Sequence, residues 1–270
     1  MKHGIGIVLS GGGSRGIAHI GVLDALEAHG LGPECIAGTS SGAIVGAMYA
    51  AGHSSEQMLD FFEHKSPFKL SKLALGKPGF VDTEKVAEDF LEYFPDNSFE
   101  ALPKSLFLTA TDLVNARLEV FTSGPLIPAI LASSSVPMVF TPTEIDGRWY
   151  FDGGILDNFP VESIRMLCDV LIGVYASPLR RVERSTLKTS LNISQRAIEV
   201  GMFHSSKRKF HDCDVIICPD ELSHYGLFDA KHLREIFGIG YRATVERIGE
   251  IREIAERKFA DSSTRDEPDD

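Results

Sequence analysis

The chain has 270 residues, which fits one large α/β domain whose core needs no disulfide or metal staples at that size. A hydrophobic share of 43% beside 24% charged residues is ordinary for a soluble globular protein. The formal net charge of −11 excludes a general nucleic-acid binder, because neutralising phosphates needs a basic face.

Ile5 to Leu9 is a short β-branched run that closes on a glycine cluster and reads as a buried strand. From Ile17 the apolar spacing becomes helical and stops at Gly30. Cys35 to Ala37 is a second short strand, and Ala43 to Ala51 is a helix of small residues. Strand, helix, strand, helix with short connections predicts a parallel sheet covered by helices. Residues 54–64 read as another helix. The stretch from Ser66 to Phe80 is irregular and reads equally as a lid or as a plain surface connection. A helix over 83–93, a strand over 105–111 and a further strand at 119–121 follow. Ile127 to Ser133 is helical, and Arg148 to Phe151 is a strand that enters Asp152-Gly153-Gly154. The apolar run Val170 to Ala176 predicts a strand in the sheet interior. Val215 to Cys218 is the expected last strand, and a single long helix is expected over 231–259. Residues 5–165 form the expected core, 166–260 its continuation in the same domain, and 261–270 a frayed acidic tail.

Cys35, Cys168, Cys213 and Cys218 are widely spaced, with no CxxC pair or Cys/His cluster, so they read as small core residues rather than zinc ligands. The apolar run before the first glycines is too short for a signal peptide. No stretch approaches the ~20 apolar residues of a membrane span. The expected setting is cytoplasmic, with any membrane contact peripheral.

Gly11-Gly12-Gly13-Ser14-Arg15-Gly16 follows a strand and opens a helix, and it formally matches the dinucleotide-binding pattern G-x-G-x-x-G. A dinucleotide site wants an acidic residue at the end of the second strand, and here that strand ends in Gly38-Thr39-Ser40. The same glycines suit an oxyanion hole, since a glycine turn at a helix N-terminus exposes backbone N–H groups where the dipole favours negative charge. Arg15 either adds positive charge there or braces the loop.

Gly38-Thr39-Ser40-Ser41-Gly42 matches G-x-S-x-G between a strand and a helix, as a nucleophile elbow requires. Ser40 is the candidate nucleophile; Ser41 lies off the motif centre. A serine needs a base. A histidine triad would draw on His224, whose Ser223-His224-Tyr225-Gly226 context is a loop. Asp152, at the end of a strand and before two glycines, is the simpler base if it lies within reach of the serine and its surroundings raise its proton affinity.

Together and in this order, G-G-G-x-R-G, G-x-S-x-G and D-G-G resemble the patatin-like phospholipases of the single-domain bacterial type. Ser133-Ser134-Ser135-Val136-Pro137 adds a fourth similarity, and the resemblance covers roughly residues 5–165. It implies a three-layer α/β/α sandwich with a mostly parallel central sheet, and a Ser–Asp dyad rather than a triad. It also implies hydrolysis of a lipid or small ester through an acyl-enzyme, with no cofactor and no metal. By position, Ser40 is then the nucleophile and Asp152 the proton acceptor. The amides of Gly11, Gly12 and Gly13 form the oxyanion hole with Arg15 beside them, while Gly16, Gly38, Gly42, Gly153 and Gly154 complete the motifs. Two alternatives stay open: a soluble short-chain carboxylesterase with a Ser-His-Asp triad, and a non-catalytic binding protein on the same fold. Residues 165–211 hold nine basic residues against three acids, which reads either as a surface for anionic lipid or as a solvated helix face.

Overall fold

The computed structural model describes residues 3–65, 83–137 and 139–263. The irregular stretch 66–80 and the tail beyond 263 lie outside the described residues.

The sheet is built around β1 (His3–Leu9), which pairs in parallel with β2 (Cys35–Gly38) on one side and β7 (Cys168–Val174) on the other. Beyond β2 comes β3 (Ser105–Asp112), also parallel, and beyond β7 comes β8 (Val215–Ile217) at the edge. The far half of β3 carries two antiparallel partners, β4 (Arg117–Phe121) and β6 (Arg148–Asp152), and β5 (Thr143–Ile145) closes that end. Period-2 alternation assigns each strand residue to one of two cores. Ile7, Leu9, Ile36, Val170, Ile172 and Val174 face the larger core. Val8, Ala37 and Leu171 point the other way, against Phe159, Val161 and Tyr175. A strand buried on both faces reads as an unbroken apolar run, as β7 does.

Helices α1 (Ala18–Ala28), α2 (Ser41–Ala50) and α3 (Ser55–Asp60) follow the first two strands, α4 (Thr83–Leu91) precedes β3, and α5 (Leu126–Ser134) follows β4. After β7 come α6 (Ser190–Lys207), α7 (Leu233–Val245) and α8 (Ile248–Ser263). Apolar residues of α1, α2, α5, α7 and α8 cover the larger core, while 3-10 turns around 161–167 and Phe203 of α6 cover the other. The result is a three-layer α/β/α sandwich. Among the described residues, no helix is long and apolar enough to cross a membrane.

Two expectations change. The helix expected over 54–64 is α3 followed by a π-helical turn, Phe61–Lys65. The single helix expected over 231–259 is divided at Glu246 and Arg247 into α7, which packs on α1, and α8, which packs on β7. Arg247 donates a side-chain hydrogen bond to the Ile216 carbonyl at this corner. The four cysteines are free thiols; Cys35 and Cys168 are buried, Cys213 and Cys218 half-buried.

The register brings strand ends to one level: Leu9 sits opposite both Gly38 and Val174, and Gly38 opposite Leu108. The loops leaving these carboxyl ends therefore share one rim of the sheet, where open α/β sheets form their crevices. β6 runs the opposite way and pairs Asp152 with Ala110, so Asp152 reaches the same rim from the other direction.

Candidate active site

Ser40 occupies the turn between β2 and α2 with φ 57° and ψ −123°, a conformation a residue with a Cβ rarely adopts. The turn is this tight because β2, α2 and the end of β1 crowd together. A Cβ on Gly38 would come 2.5 Å from the Gly42 carbonyl oxygen, and one on Gly42 would come 2.2 Å from that of Leu9. The Ser40 amide donates to Ser133 Oγ at 3.0 Å, so the serine-rich segment at the end of α5 anchors the turn. Ser41 is fully buried, with its Oγ 2.2 Å from the point where a Cβ on Gly16 would stand. The rival hydroxyl thus faces the α1 side rather than the rim.

The Asp152 carboxylate stands beside the Ser40 hydroxyl, which favours its ionised form, and Asp152 Oδ1 accepts from the Gly154 amide at 2.7 Å. Burial raises the Asp152 pKa to about 6, with the Ser40 hydroxyl and the Gly154 amide pulling the other way. A carboxylate held there is ionised at neutral pH, yet far more basic than one in water. The backbone around it is fixed on both sides. The Asp152 amide donates to the Ser135 carbonyl at 2.9 Å, and Thr111 Oγ1 donates to the Asp152 carbonyl at 3.0 Å. Gly153 lies so close to β3 that a Cβ would come 2.4 Å from the Thr109 carbonyl oxygen.

The glycine loop between β1 and α1 meets Ser40 from the other side. The point where a Cβ on Gly11 would stand is 3.1 Å from Ser40 Cβ and 2.4 Å from Asn158 Oδ1. Gly11 departs from the expected oxyanion role: its amide donates to the Asn158 carbonyl at 3.2 Å and is spent on holding the loop. The Ser14 amide donates to Leu227 and the Arg15 amide to Gly12. The amides of Gly12 and Gly13 have no acceptor among the described residues, and they stand at the start of the 3-10 turn Gly13–Ile17 that leads into α1. Arg15 does not reach toward Ser40 through any hydrogen bond. Its Nε donates to the Tyr225 carbonyl at 2.8 Å and its Nη2 lies 3.9 Å from Glu199.

Residues that sequence reasoning missed hold this loop in place. His19 is fully buried on α1, and its Nε2 donates to the Ser10 carbonyl at 2.8 Å. Burial lowers its pKa to about 4, so it stays neutral there. Asn158 ties the loop twice, through its carbonyl to Gly11 N and through Nδ2 to Gly11 O at 3.5 Å. Its buried Oδ1 has no partner among the described residues and lies 2.9 Å from where a Cβ on Gly154 would be. Neither residue carries a sequence signal, since a histidine in an apolar helix and an asparagine in a loop are commonplace. His224 is exposed at the end of the 3-10 turn Asp220–His224, and among the described residues no hydrogen bond joins it to Ser40 or Asp152. Among the described residues no cluster of three or more His, Cys, Asp or Glu is placed to hold a metal ion.

The sequence model of the family described as patatin-like phospholipase matches residues 7–164. An uncharacterized NTE family protein of Mycobacterium tuberculosis is 34% identical over 221 residues, which are 77% of this chain and 60% of that protein. A protein named lysophospholipase NTE1 from Scheffersomyces stipitis is 31% identical over 170 residues, 60% of this chain and 11% of its own length. This chain therefore spans less than two thirds of the length of either relative. The crystal structure of VipD from Legionella pneumophila superposes with a TM-score of 0.53 at 14% identity, covering 93% of this chain and 67% of that one. At that identity the likeness concerns the fold alone.

Proposed function

The chain belongs to the patatin-like phospholipase family, and from that premise we propose that it is a serine acyl hydrolase in which Ser40 and Asp152 act as a dyad. The observation that carries this reading is a strained-elbow serine, Ser40, beside a buried carboxylate, Asp152, whose pKa is raised to about 6. A general base near the working pH contributes about 10²- to 10⁴-fold to rate.

In the proposed cycle Ser40 Oγ attacks the ester carbonyl carbon while its proton passes to Asp152. The carbonyl π electrons move to oxygen, and the oxyanion is held by the amides of Gly12 and Gly13 at the positive end of the turn into α1. One such donor is worth about 10² to 10³ in rate. The oxyanion collapses, the bond to the leaving alcohol breaks, and the Asp152 proton goes to that alcohol. Water then repeats the attack on the acyl-enzyme with Asp152 as base, releasing the carboxylic acid and restoring Ser40. No step of this cycle calls for a metal or cofactor. The unpaired Gly12 and Gly13 amides support a narrower oxyanion hole than the three-glycine one expected, with Gly11 and Arg15 as loop braces.

Lipid acyl esters are the proposed substrates, a reading supported by the family and by the curated relatives named lysophospholipases. The test is an ester series from short to long acyl chains beside lysophospholipid, for the wild type and Ser40→Ala. Turnover that rises with chain length and vanishes in Ser40→Ala supports a lipid acyl hydrolase. Turnover confined to short esters removes the lipid assignment, and turnover that survives Ser40→Ala removes the dyad.

A further inference from the structure

α6 has a composition that solvent exposure alone does not explain. A helix face turned to water ordinarily carries charges. Up to Ser206 the exposed residues of α6 are Ser190, Asn192, Ile193, Ser194, Ala197, Ile198, Gly201, His204 and Ser205, none of them Asp, Glu, Lys or Arg. Ile193 and Ile198 are each 52% exposed. The formal charges between Ser190 and Ser206 are Arg196 and Glu199, which are half-buried and 3.5 Å apart. Cations frame this uncharged face at both ends. Arg181, Arg184 and Lys188 lie before the helix, and Lys207 and Arg208 at its close, all exposed. Among the described residues none of these five is paired with a carboxylate, in a chain whose formal net charge is −11.

The face is fastened to the rim that holds Ser40. The segment leading to α6 leaves the end of β7 beside the glycine loop, where Ser177 Oγ donates to the Gly11 carbonyl. The inner side of α6 closes over the site: Glu199 faces Arg15, and Met202 Cε is 3.0 Å from where a Cβ on Gly154 would stand. An apolar, uncharged strip between two cationic ends is the composition of a helix that lies in a membrane interface, with side chains in the acyl boundary and cations among anionic headgroups.

We propose that the outward face of α6, with Arg181, Arg184 and Lys188 before it and Lys207 and Arg208 after it, docks on the surface of an anionic lipid bilayer and presents the Ser40 rim to it. The need for such docking rests on the acyl-hydrolase reading, while the surface itself stands on exposure, charge and placement. Charge complementarity selects the occupant: five exposed cations without a carboxylate partner among the described residues, around a shallow uncharged strip, match a plane of anionic headgroups.

Binding and turnover are measured separately. The full chain carrying Ser40→Ala, which cannot consume lipid by the proposed route, is sedimented with phosphatidylcholine vesicles and with vesicles containing about one third phosphatidylserine. Partitioning is expected to favour the anionic vesicles and to weaken as salt rises. Each cation near such a surface is worth about fivefold, so Arg181→Ser, Arg184→Ser and Lys188→Ser together are expected to weaken partitioning at least about tenfold. Ile193→Asn with Ile198→Asn is expected to weaken it on vesicles of either charge. Placed in the Ser40 enzyme, both sets are expected to leave turnover of a soluble short ester within about twofold, which also shows that they fold. Equal, negligible binding to both vesicles overturns the proposal, as does binding that neither set alters. A change in oligomeric state caused by the isoleucine pair, with vesicle binding intact, also overturns it by assigning the face to protein contact. Soluble-ester turnover without vesicle binding defeats this inference alone, and vesicle binding without ester turnover defeats the hydrolase reading alone.

Discussion

Replacing Asp152 with asparagine separates what this carboxylate costs the fold from what it gives the proposed chemistry. Its pKa is raised from the ordinary 3.8 to about 6 by burial. An acid whose pKa is raised on folding contributes stability that is fully present below its unfolded pKa and lost as pH rises through its folded pKa. The shift spans about two pH units, and one unit corresponds to about 1.4 kcal/mol. Ionised at pH 7, Asp152 therefore lowers stability by up to about 3 kcal/mol relative to its neutral form. An asparagine never ionises, nearly matches the shape, and keeps an oxygen to accept from the Gly154 amide. Asp152→Asn is expected to gain about 1 to 3 kcal/mol in urea unfolding at pH 7. That gain should shrink toward zero near pH 4, where the wild-type carboxyl is already protonated. Other titrating groups are common to both proteins and cancel in the difference. The same variant is expected to lose at least about 10²-fold in ester turnover. A variant less stable than wild type at pH 7, or a gain that is the same at pH 7 and pH 4, refutes the reasoning.

The acidic limb of the kcat/KM profile on a soluble ester should bend at an apparent pKa of about 6, because the proposed mechanism uses ionised Asp152; a rate flat down to pH 4.5 (about 1.5 units below that value) contradicts it. Ser40→Gly should be more stable than Ser40→Ala by about 1 kcal/mol, since glycine relaxes at φ 57° and alanine does not. Thermal or urea melts of the two variants would check this, and equal midpoints would deny that the elbow is strained. His224→Ala should keep soluble-ester turnover within about threefold of wild type, as expected of an exposed side chain with no bond to the dyad; a loss comparable to that of Ser40→Ala would restore the triad.

What the sequence made legible here was local. Ile5 to Leu9 leading into glycines, and Cys35 to Ala37 leading into Gly38-Thr39-Ser40, are short patterns whose conformation is set by neighbouring residues. The strand before Asp152 was readable for the same reason. Its approach to Ser40 was not, because it depends on the antiparallel pairing of Asp152 with Ala110. The use of the Gly11 amide was hidden in the same way: the acceptor is the carbonyl of Asn158, 147 residues further along the chain. His19 looks like any residue of an apolar helix until the fold places the Ser10 carbonyl against its ring. The division between α7 and α8 follows from packing on different partners, which periodicity within one apolar-spaced stretch does not encode. The charge excess of 165–211 was visible as composition, whereas the uncharged outward face of α6 emerged only once its inner side was known.

The central claim is that Ser40 carries the acyl group, and the most direct measurement is covalent labelling with a fluorophosphonate, a reagent that traps activated serines, followed by peptide mapping. One label is expected per chain, on Ser40, absent in Ser40→Ala and slowed at least about 10²-fold in Asp152→Asn. A label on Ser41 or elsewhere, or ester turnover in a protein whose Ser40 stays unlabelled, would contradict the account.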